Sequence, residues 1–305
     1  MKETGISRFG IQRKIIANMT AQSWSEIPHV SYNYEPDITE FYEKYRQFAE
    51  KAKDDGNITF NTVLLKTVAE ALKAAPKMNS HLHFEKALVR GKMTEYENID
   101  VSLPWILPSG EMMTITLKDV GGRSILNLQK YINEMSRKIE NTNLNDAMYS
   151  ISLHDTLEYL KKGRFIKVIL RLIGSKTGNH KVSGLKGKEK KEYRKISDDD
   201  KLTRYDLRQG TITISNIGSI TKGLSGIVSM LMIIPPQVTA IGVASIYKKP
   251  VVFTDENGND KIGAARVLPI CICFDHRALD FGDIKPFILK LEEIFKNPET
   301  IFTSK

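Results

Sequence analysis

Cysteine is almost missing from this chain: two residues in 305, Cys271 and Cys273, one residue apart in an apolar run. That spacing suits neither a disulfide nor a zinc ligand set, so a disulfide-stapled or zinc-organised fold is excluded. The pair reads instead as two buried thiols on one face of a strand. Long apolar runs are missing too. The stretches 228–235 and 165–174 are the longest candidates, and Lys167 and Arg171 interrupt the second. Neither approaches the roughly 20 residues that a membrane span needs. The opening Met1-Lys2-Glu3-Thr4 has no apolar core of the kind a secretion signal carries. No membrane partner and a cytoplasmic location are therefore expected. Aromatics are sparse in the basic part of the chain. Residues 161–195 hold thirteen Lys or Arg against two Glu, a local charge of +11, with only Phe165 and Tyr193 among them. The net charge of +9 thus belongs to one segment, and the rest of the chain sums to −2. A basic segment without interleaved aromatics is a poor nucleic-acid platform, so nucleic acid is not an expected partner.

What is present is a mixed α and β pattern, with 41% apolar residues to build a core. A helix is predicted over 7–24, with Ile11, Ile15, Ile16 and Met19 on one face. An extended segment follows Pro28. Asp37-Ile38-Thr39-Glu40 has the form of a capping box, opening a helix to about Lys53. Asn61 opens another, over 63–75, which Pro76 stops. Strands are predicted over 82–89, 99–103 and 112–117, with Gly91 and Ser109-Gly110 as turns. An amphipathic helix follows over 125–139, and the helical pattern continues over 142–160. Gly174, Gly178, Gly184 and Gly187 weaken helix beyond that point, and 175–200 reads as a mobile loop. Strands at 211–214, 238–246 and 267–274 precede a closing helix over 283–296.

Three places carry groups suited to chemistry. At 271–280 an apolar strand runs into Asp275, His276 and Arg277, with Asp280 four residues after the histidine. Imidazole titrates near neutrality and suits a general base. Chance alone supplies about 0.3 His-x-x-x-Asp matches in such a chain, and a strand-end histidine bonded to a loop carbonyl is the plain alternative. At 211–218 a β-branched strand ends in Ser215-Asn216, whose hydroxyl can donate to a developing oxyanion. A turn-initiating Ser-Asn pair is its alternative. At 13–30 an Arg13-Lys14 helix is followed by Ile27-Pro28-His29-Val30. Taken alone, that is a surface helix with a proline stop.

Taken together and in order, these segments resemble the catalytic domain of the dihydrolipoyl acyltransferases of 2-oxo-acid dehydrogenase complexes. The Arg-Lys helix with Ile-Pro-His-Val, the Asp-x-Thr-Glu of Asp37 to Glu40, the Thr-Ile-Ser-Asn-x-Gly of Thr213 to Gly218, the Pro-Pro-x-Val-x-x-Ile-Gly-Val of Pro235 to Val243 and the Asp-His-Arg-x-x-Asp of Asp275 to Asp280 all match. The resemblance covers about 1–145 and 200–300. It implies an α/β, chloramphenicol-acetyltransferase-like fold, a mixed sheet with packed helices, in a homotrimer whose active sites lie between subunits. It implies a single catalytic domain over 1–305 with a basic insertion at about 142–200. It implies a coenzyme A-dependent acyltransferase that passes an acyl group to a dihydrolipoamide-like thiol. His276 then deprotonates the thiol, Ser215 stabilises the oxyanion, and Asp280 holds the site through an ion pair with an arginine, for which Arg13 is the candidate. Coenzyme A is a substrate, and no metal is required.

The chain departs from the family pattern in three ways. Phe281 stands where the family has the glycine of Asp-Gly. No lipoyl or subunit-binding domain precedes the matching region. A covalent lipoyl group is therefore not expected on this chain, and a lipoyl-bearing or acyl carrier protein would act in trans. The third departure is the basic insertion. It fits a solvated loop, or a surface that attracts the phosphates of coenzyme A or an acidic carrier. Two other classes stay open: a catalytically inactive trimeric scaffold of the same fold, and an acetyltransferase acting on a hydroxyl or amine of a small molecule.

Overall fold

The computed structural model describes residues 2–53, 56–107, 110, 112–161, 163, 165–177, 184–221 and 224–302. Its contacts divide the chain into two units, Met1–Gln22 with Glu134–Leu207, and Ser23–Asn133 with Arg208–Lys305.

The second unit is built on a six-stranded sheet. Its strands are β1 (His29–Tyr34), β4 (Val101–Ile106), β5 (Met112–Leu117), β6 (Ile212–Asn216), β7 (Thr239–Val243) and β10 (Ile270–Asp275), in the spatial order β1-β10-β7-β6-β4-β5. β6 runs parallel to both β4 and β7, and the other neighbours are antiparallel. The sheet is mixed, as expected. Every residue of β7 and β10 is buried, which is why both read as unbroken apolar runs rather than alternating ones. β6 alternates instead: Ile212 and Ile214 are buried, while Thr213 and Ser215 face the other way, half-buried.

Helices α2 (Thr39–Lys51), α3 (Phe60–Leu72) and α8 (Phe281–Lys296) pack with the short α9 (Glu299–Phe302) around Phe41, Phe287 and Phe295. Thr59 caps α3 by accepting from the Thr62 amide at 3.2 Å. The helix therefore starts just before the Asn61 predicted to open it.

Several expectations need correction. Asp37 does not cap α2 through a box with Glu40. Its Oδ1 takes the Thr39 amide at 2.8 Å and the Thr39 hydroxyl at 2.5 Å, so both bonds go to one residue, and the helix begins after Ile38 without a side-chain cap. The strand predicted over 82–89 is β2 (Ser80–Glu85), which turns at 86–89, with Val89 at φ +50°, into an antiparallel partner β3 (Arg90–Glu95). The run 267–274 is broken at Leu268-Pro269, since proline cannot donate to a ladder. Its first residue ends β9 (Asp260–Val267), which pairs with β8 (Tyr247–Thr254) in a hairpin that the sequence pattern did not announce. Ser109 of the predicted turn lies outside the described residues. Gly110 has the positive φ, +81°, that a turn glycine supplies.

The first unit is helical: the amino-terminal part of α1 (Ile11–Glu26), the end of α4 (Ile125–Glu140), α5 (Leu144–Lys161), α6 (Phe165–Lys176) and α7 (Gly187–Tyr193). The expected mobile loop at 175–200 thus contains a helix. Lys and Glu are good helix formers, a Glu192–Lys195 pair at 2.9 Å ties its end, and Lys201 lies over the Tyr193 ring. Gly178 lies outside the described residues.

Candidate active site

His276 stands one residue past β10, and its surroundings fix it from both sides. The Asp275 carboxylate, almost fully buried, takes the Arg277 amide at 2.9 Å and a forked pair of bonds from the Arg277 guanidinium, the shorter at 2.7 Å. Such a planar, charge-assisted fork is among the stronger side-chain contacts. Arg277 also lies over the Phe84 ring. The His276 amide donates to Pro28 O at 3.1 Å, tying it to the Ile-Pro-His segment. The imidazole, itself exposed, bonds through Nδ1 to Leu279 O at 3.1 Å. A carbonyl oxygen only accepts, so in the neutral ring the proton sits on Nδ1 and Nε2 carries the free lone pair. No partner of Nε2 is found among the described residues. This is the arrangement a general base needs.

His29 and His81 differ. His29 donates from Nδ1 to Ile27 O at 2.8 Å and accepts the Ile233 amide on Nε2 at 3.0 Å, so both nitrogens are spent on backbone. His81 bonds Gly210 O through Nε2 and the Tyr96 hydroxyl through Nδ1, each at 3.1 Å, and burial lowers its pKa. Both are structural. Cys271 and Cys273 are also inert. Their sulfurs touch at 3.5 Å in the core, and that contact together with burial raises the Cys271 pKa. No cluster of three or more metal-ligating side chains occurs among the described residues.

Asp280 works locally. Its Oδ1 accepts the Gly282 amide at 2.8 Å, and Asp283 returns a bond to the Asp280 amide at 3.1 Å, completing a capping box at the start of α8. Lys77 holds Asp283 from outside at 2.8 Å, and that hydrogen bond lowers the Asp283 pKa. Arg13 lies on α1 in the other unit. Phe281, 51% exposed, packs edge-on against Phe274 at 5.4 Å, and Phe274 in turn meets the His276 ring at 5.9 Å. The aromatic residue in the glycine position is thus linked to the imidazole through the shared neighbour Phe274.

Ser215 is mounted at the far end of β6. Asn216 after it is anchored by Asn61 at 2.9 Å and accepts the Ser219 amide at 3.1 Å. Gly218 is required there: a Cβ would fall 2.5 Å from Ala244 O. No hydrogen bond of the Ser215 hydroxyl is found among the described residues, and the group is half-buried. The His276 imidazole and the Ser215 hydroxyl thus both sit on backbone tied to neighbouring elements, and neither His276 Nε2 nor the Ser215 hydroxyl has a partner among the described residues.

Within one chain the two are not brought together. Ser215, Gly242 and Cys271 share one row across the sheet. His276 lies five residues beyond Cys271, at the end where β6 and β7 begin. That is about 17 Å along the strands and about 10 Å across them. A small cavity of about 130 Å³ lined by Trp24, Ile27, His29 and Met230 borders the Ile-Pro-His segment that holds the His276 amide.

Comparison with known proteins gives the family and the fold. The chain is 24% identical over 287 residues to the lipoamide acyltransferase component of the branched-chain alpha-keto acid dehydrogenase complex of Bacillus subtilis, covering 93% of this chain and 50% of that protein. It is 25% identical over 299 residues to the dihydrolipoyllysine-residue acetyltransferase component of the pyruvate dehydrogenase complex of Haemophilus influenzae, covering 96% and 39%. The chain therefore spans about half or less of the length of these relatives. Among solved structures, a probable dihydrolipoamide acetyltransferase from Listeria monocytogenes superposes with a TM-score of 0.65 at 22% identity, covering 97% of this chain and 95% of that one. The cubic core of a pyruvate dehydrogenase multienzyme complex gives 0.65 at 19%, covering 98% and 94%. The fold is shared with these cores. Residues 2–150 and 185–303 match the family described as 2-oxoacid dehydrogenases acyltransferase (catalytic domain), and the chain belongs to that family.

Proposed function

We propose that this chain is a coenzyme A-dependent acyltransferase that exchanges an acyl group between coenzyme A and a dihydrolipoamide-like thiol, with each active site assembled from two subunits of a homotrimer. The observation that carries this reading is the His276 tautomer, with Nδ1 engaged by Leu279 O and Nε2 free. A free thiol titrates near pH 8.5 and is mostly protonated at neutrality. Nε2 of His276 takes its proton as the sulfur attacks the thioester carbonyl carbon. The new C–S bond forms while the carbonyl electrons move to oxygen, and the Ser215 hydroxyl of a neighbouring subunit donates to that oxyanion. The intermediate collapses, the old C–S bond breaks, and the departing thiolate recovers the proton from His276. The 19%-identical dihydrolipoamide acetyltransferase of Azotobacter vinelandii, TM-score 0.64, was studied for the roles of a serine, a histidine and an asparagine, the last four residues after the histidine. Asp280 holds the same offset from His276, and its capping of α8 supports a positioning role. Pairing of Asp280 with Arg13 remains part of this proposal.

The catalytic domain extends over 1–305 and carries the basic insertion at about 142–200, which contains the unmatched stretch 151–184. The lipoyl thiol is supplied in trans. Purified protein mixed with a panel of acyl-CoAs and dihydrolipoamide, followed by thiol release, tests the reading. Transfer that disappears in His276→Ala supports it, and absence of transfer by the unaltered protein overturns it. A scaffold without turnover is the second reading. The observation that favours it is Phe281, a large ring in the glycine position that packs on Phe274, the same ring that meets the imidazole.

A further inference from the structure

The segment that the family match leaves out, 151–184, holds most of a helical hairpin of unusual surface chemistry. Among the described residues of α6, only Val168 is buried. Ile166 is 76% and Leu170 63% exposed, and Ile169 and Ile173 are exposed beside them. Their spacing of three, one and three residues puts them on one helix face. The preceding helix α5 packs against α6 and shows Leu153 and Leu157, four residues apart and both exposed. An exposed aliphatic face of this kind on α6 marks an interaction site.

Charge and length identify its occupant. The sequence of α6 contains no acidic residue, and 161–195 carries +11. Two copies of the chain meeting face to face through it would bring two such charges together, and in a head-to-tail contact the rest of the chain, at −2, offers little opposite charge to receive it. No described helix is long and apolar enough to cross a membrane. At 12 residues α6 is about 18 Å long, well short of a hydrocarbon core of about 30 Å. A short helix with an aliphatic face and a basic sequence lies in the headgroup region of an anionic bilayer. The exposed residues are Leu and Ile, which offer no hydrogen-bonding groups to set a register against a shaped protein groove, and a fluid surface needs none. From these features we infer that the α5–α6 hairpin docks this chain on the surface of an anionic membrane. The absence of a spanning segment, from which no membrane partner was expected, does not bear on a surface-lying hairpin.

Flotation of the full chain with vesicles tests this. With about 30% phosphatidylglycerol in phosphatidylcholine the protein should float, more weakly in high salt, and with phosphatidylcholine alone it should stay below. The I166E/L170E variant should lose at least about tenfold in anionic-vesicle affinity while keeping its helical circular dichroism and native mass. The milder I166S/L170S should fall between the two, which guards against misfolding of the Glu variant. Failure of the unaltered protein to float on anionic vesicles overturns the inference. So does full binding by both variants, and so does a fall in native mass of I166E/L170E, which would show that a second copy covers the face.

Discussion

If each active site takes its base from one subunit and its oxyanion donor from the next, two individually dead proteins should revive each other. His276 and Ser215 of one chain are separated by about 17 Å along the strands and about 10 Å across, or about 20 Å in all. An imidazole and a serine side chain together reach about 7 Å, and a base and a donor serving one thioester must come within about 6–8 Å of each other. A single chain cannot close that gap. His276→Ala removes a general base and should cost about 10²–10⁴ in kcat. Ser215→Ala removes an oxyanion donor and should cost about 10²–10³, more in kcat than in KM. In trimers refolded or co-expressed from an equal mixture, a working site needs the Ser215→Ala subunit to supply His276 and its neighbour, the His276→Ala subunit, to supply Ser215. With head-to-tail interfaces about one site in four meets that condition. Turnover should therefore rise to about a quarter of the unaltered enzyme, against about a hundredth or less for either variant alone. Acyl transfer from acyl-CoA to dihydrolipoamide is the assay, with native mass confirming mixed trimers. No recovery in confirmed mixed trimers refutes the shared site.

Four other outcomes follow from the geometry. Asp280→Ala should lose the cap of α8 and about 1 kcal/mol of stability by urea unfolding, whereas Asp280→Asn should retain most of it. Phe281→Gly removes the ring packed on Phe274, which itself meets His276, and should raise kcat/KM for longer acyl-CoAs relative to acetyl-CoA across a chain-length series; an unchanged ratio would remove Phe281 from the specificity account. Gly218→Ala should destabilise the turn after Ser215, seen as a lower Tm, because the added carbon meets Ala244 O. For Glu70, burial works to raise the pKa, but hydrogen bonds from the buried Lys66 and from Lys73 outweigh it and lower it. A carboxylate lowered in the folded state adds stability that is present above the ordinary carboxylate range and is lost as pH falls below it. Urea midpoints of Glu70→Gln and the unaltered protein should therefore converge in acid.

The motif-bearing parts of the fold were readable because local chemistry dictates them. The β-branched run into Ser215, the apolar run into Asp275 and the amphipathic face of α8 each declare an element without reference to its neighbours. The β8–β9 hairpin was not readable, since its residues are mostly exposed and carry little alternation. The capping box was expected at Asp37 and Glu40 but forms at Asp280 and Asp283, where Asp replaces the usual Glu as the reciprocal acceptor. The separation of His276 from Ser215 was carried only by the resemblance, which implied active sites between subunits, and not by the residues themselves. It depends on strand register and on β10 running antiparallel to β7, and no spacing along the chain encodes either. The free Nε2 of His276 required knowing which carbonyl meets Nδ1.

In the proposed mechanism, placing the base and the donor at opposite ends of one sheet makes reactivity conditional on company. A newly made or diluted subunit of the proposed trimer would own an imidazole with nothing to catch the negative charge it helps create, and a hydroxyl with no proton acceptor in range. Thioesters would survive an encounter with such a solitary chain. Specific activity should then fall with dilution below the assembly threshold, and one defective allele would silence sites on sound subunits beside its product.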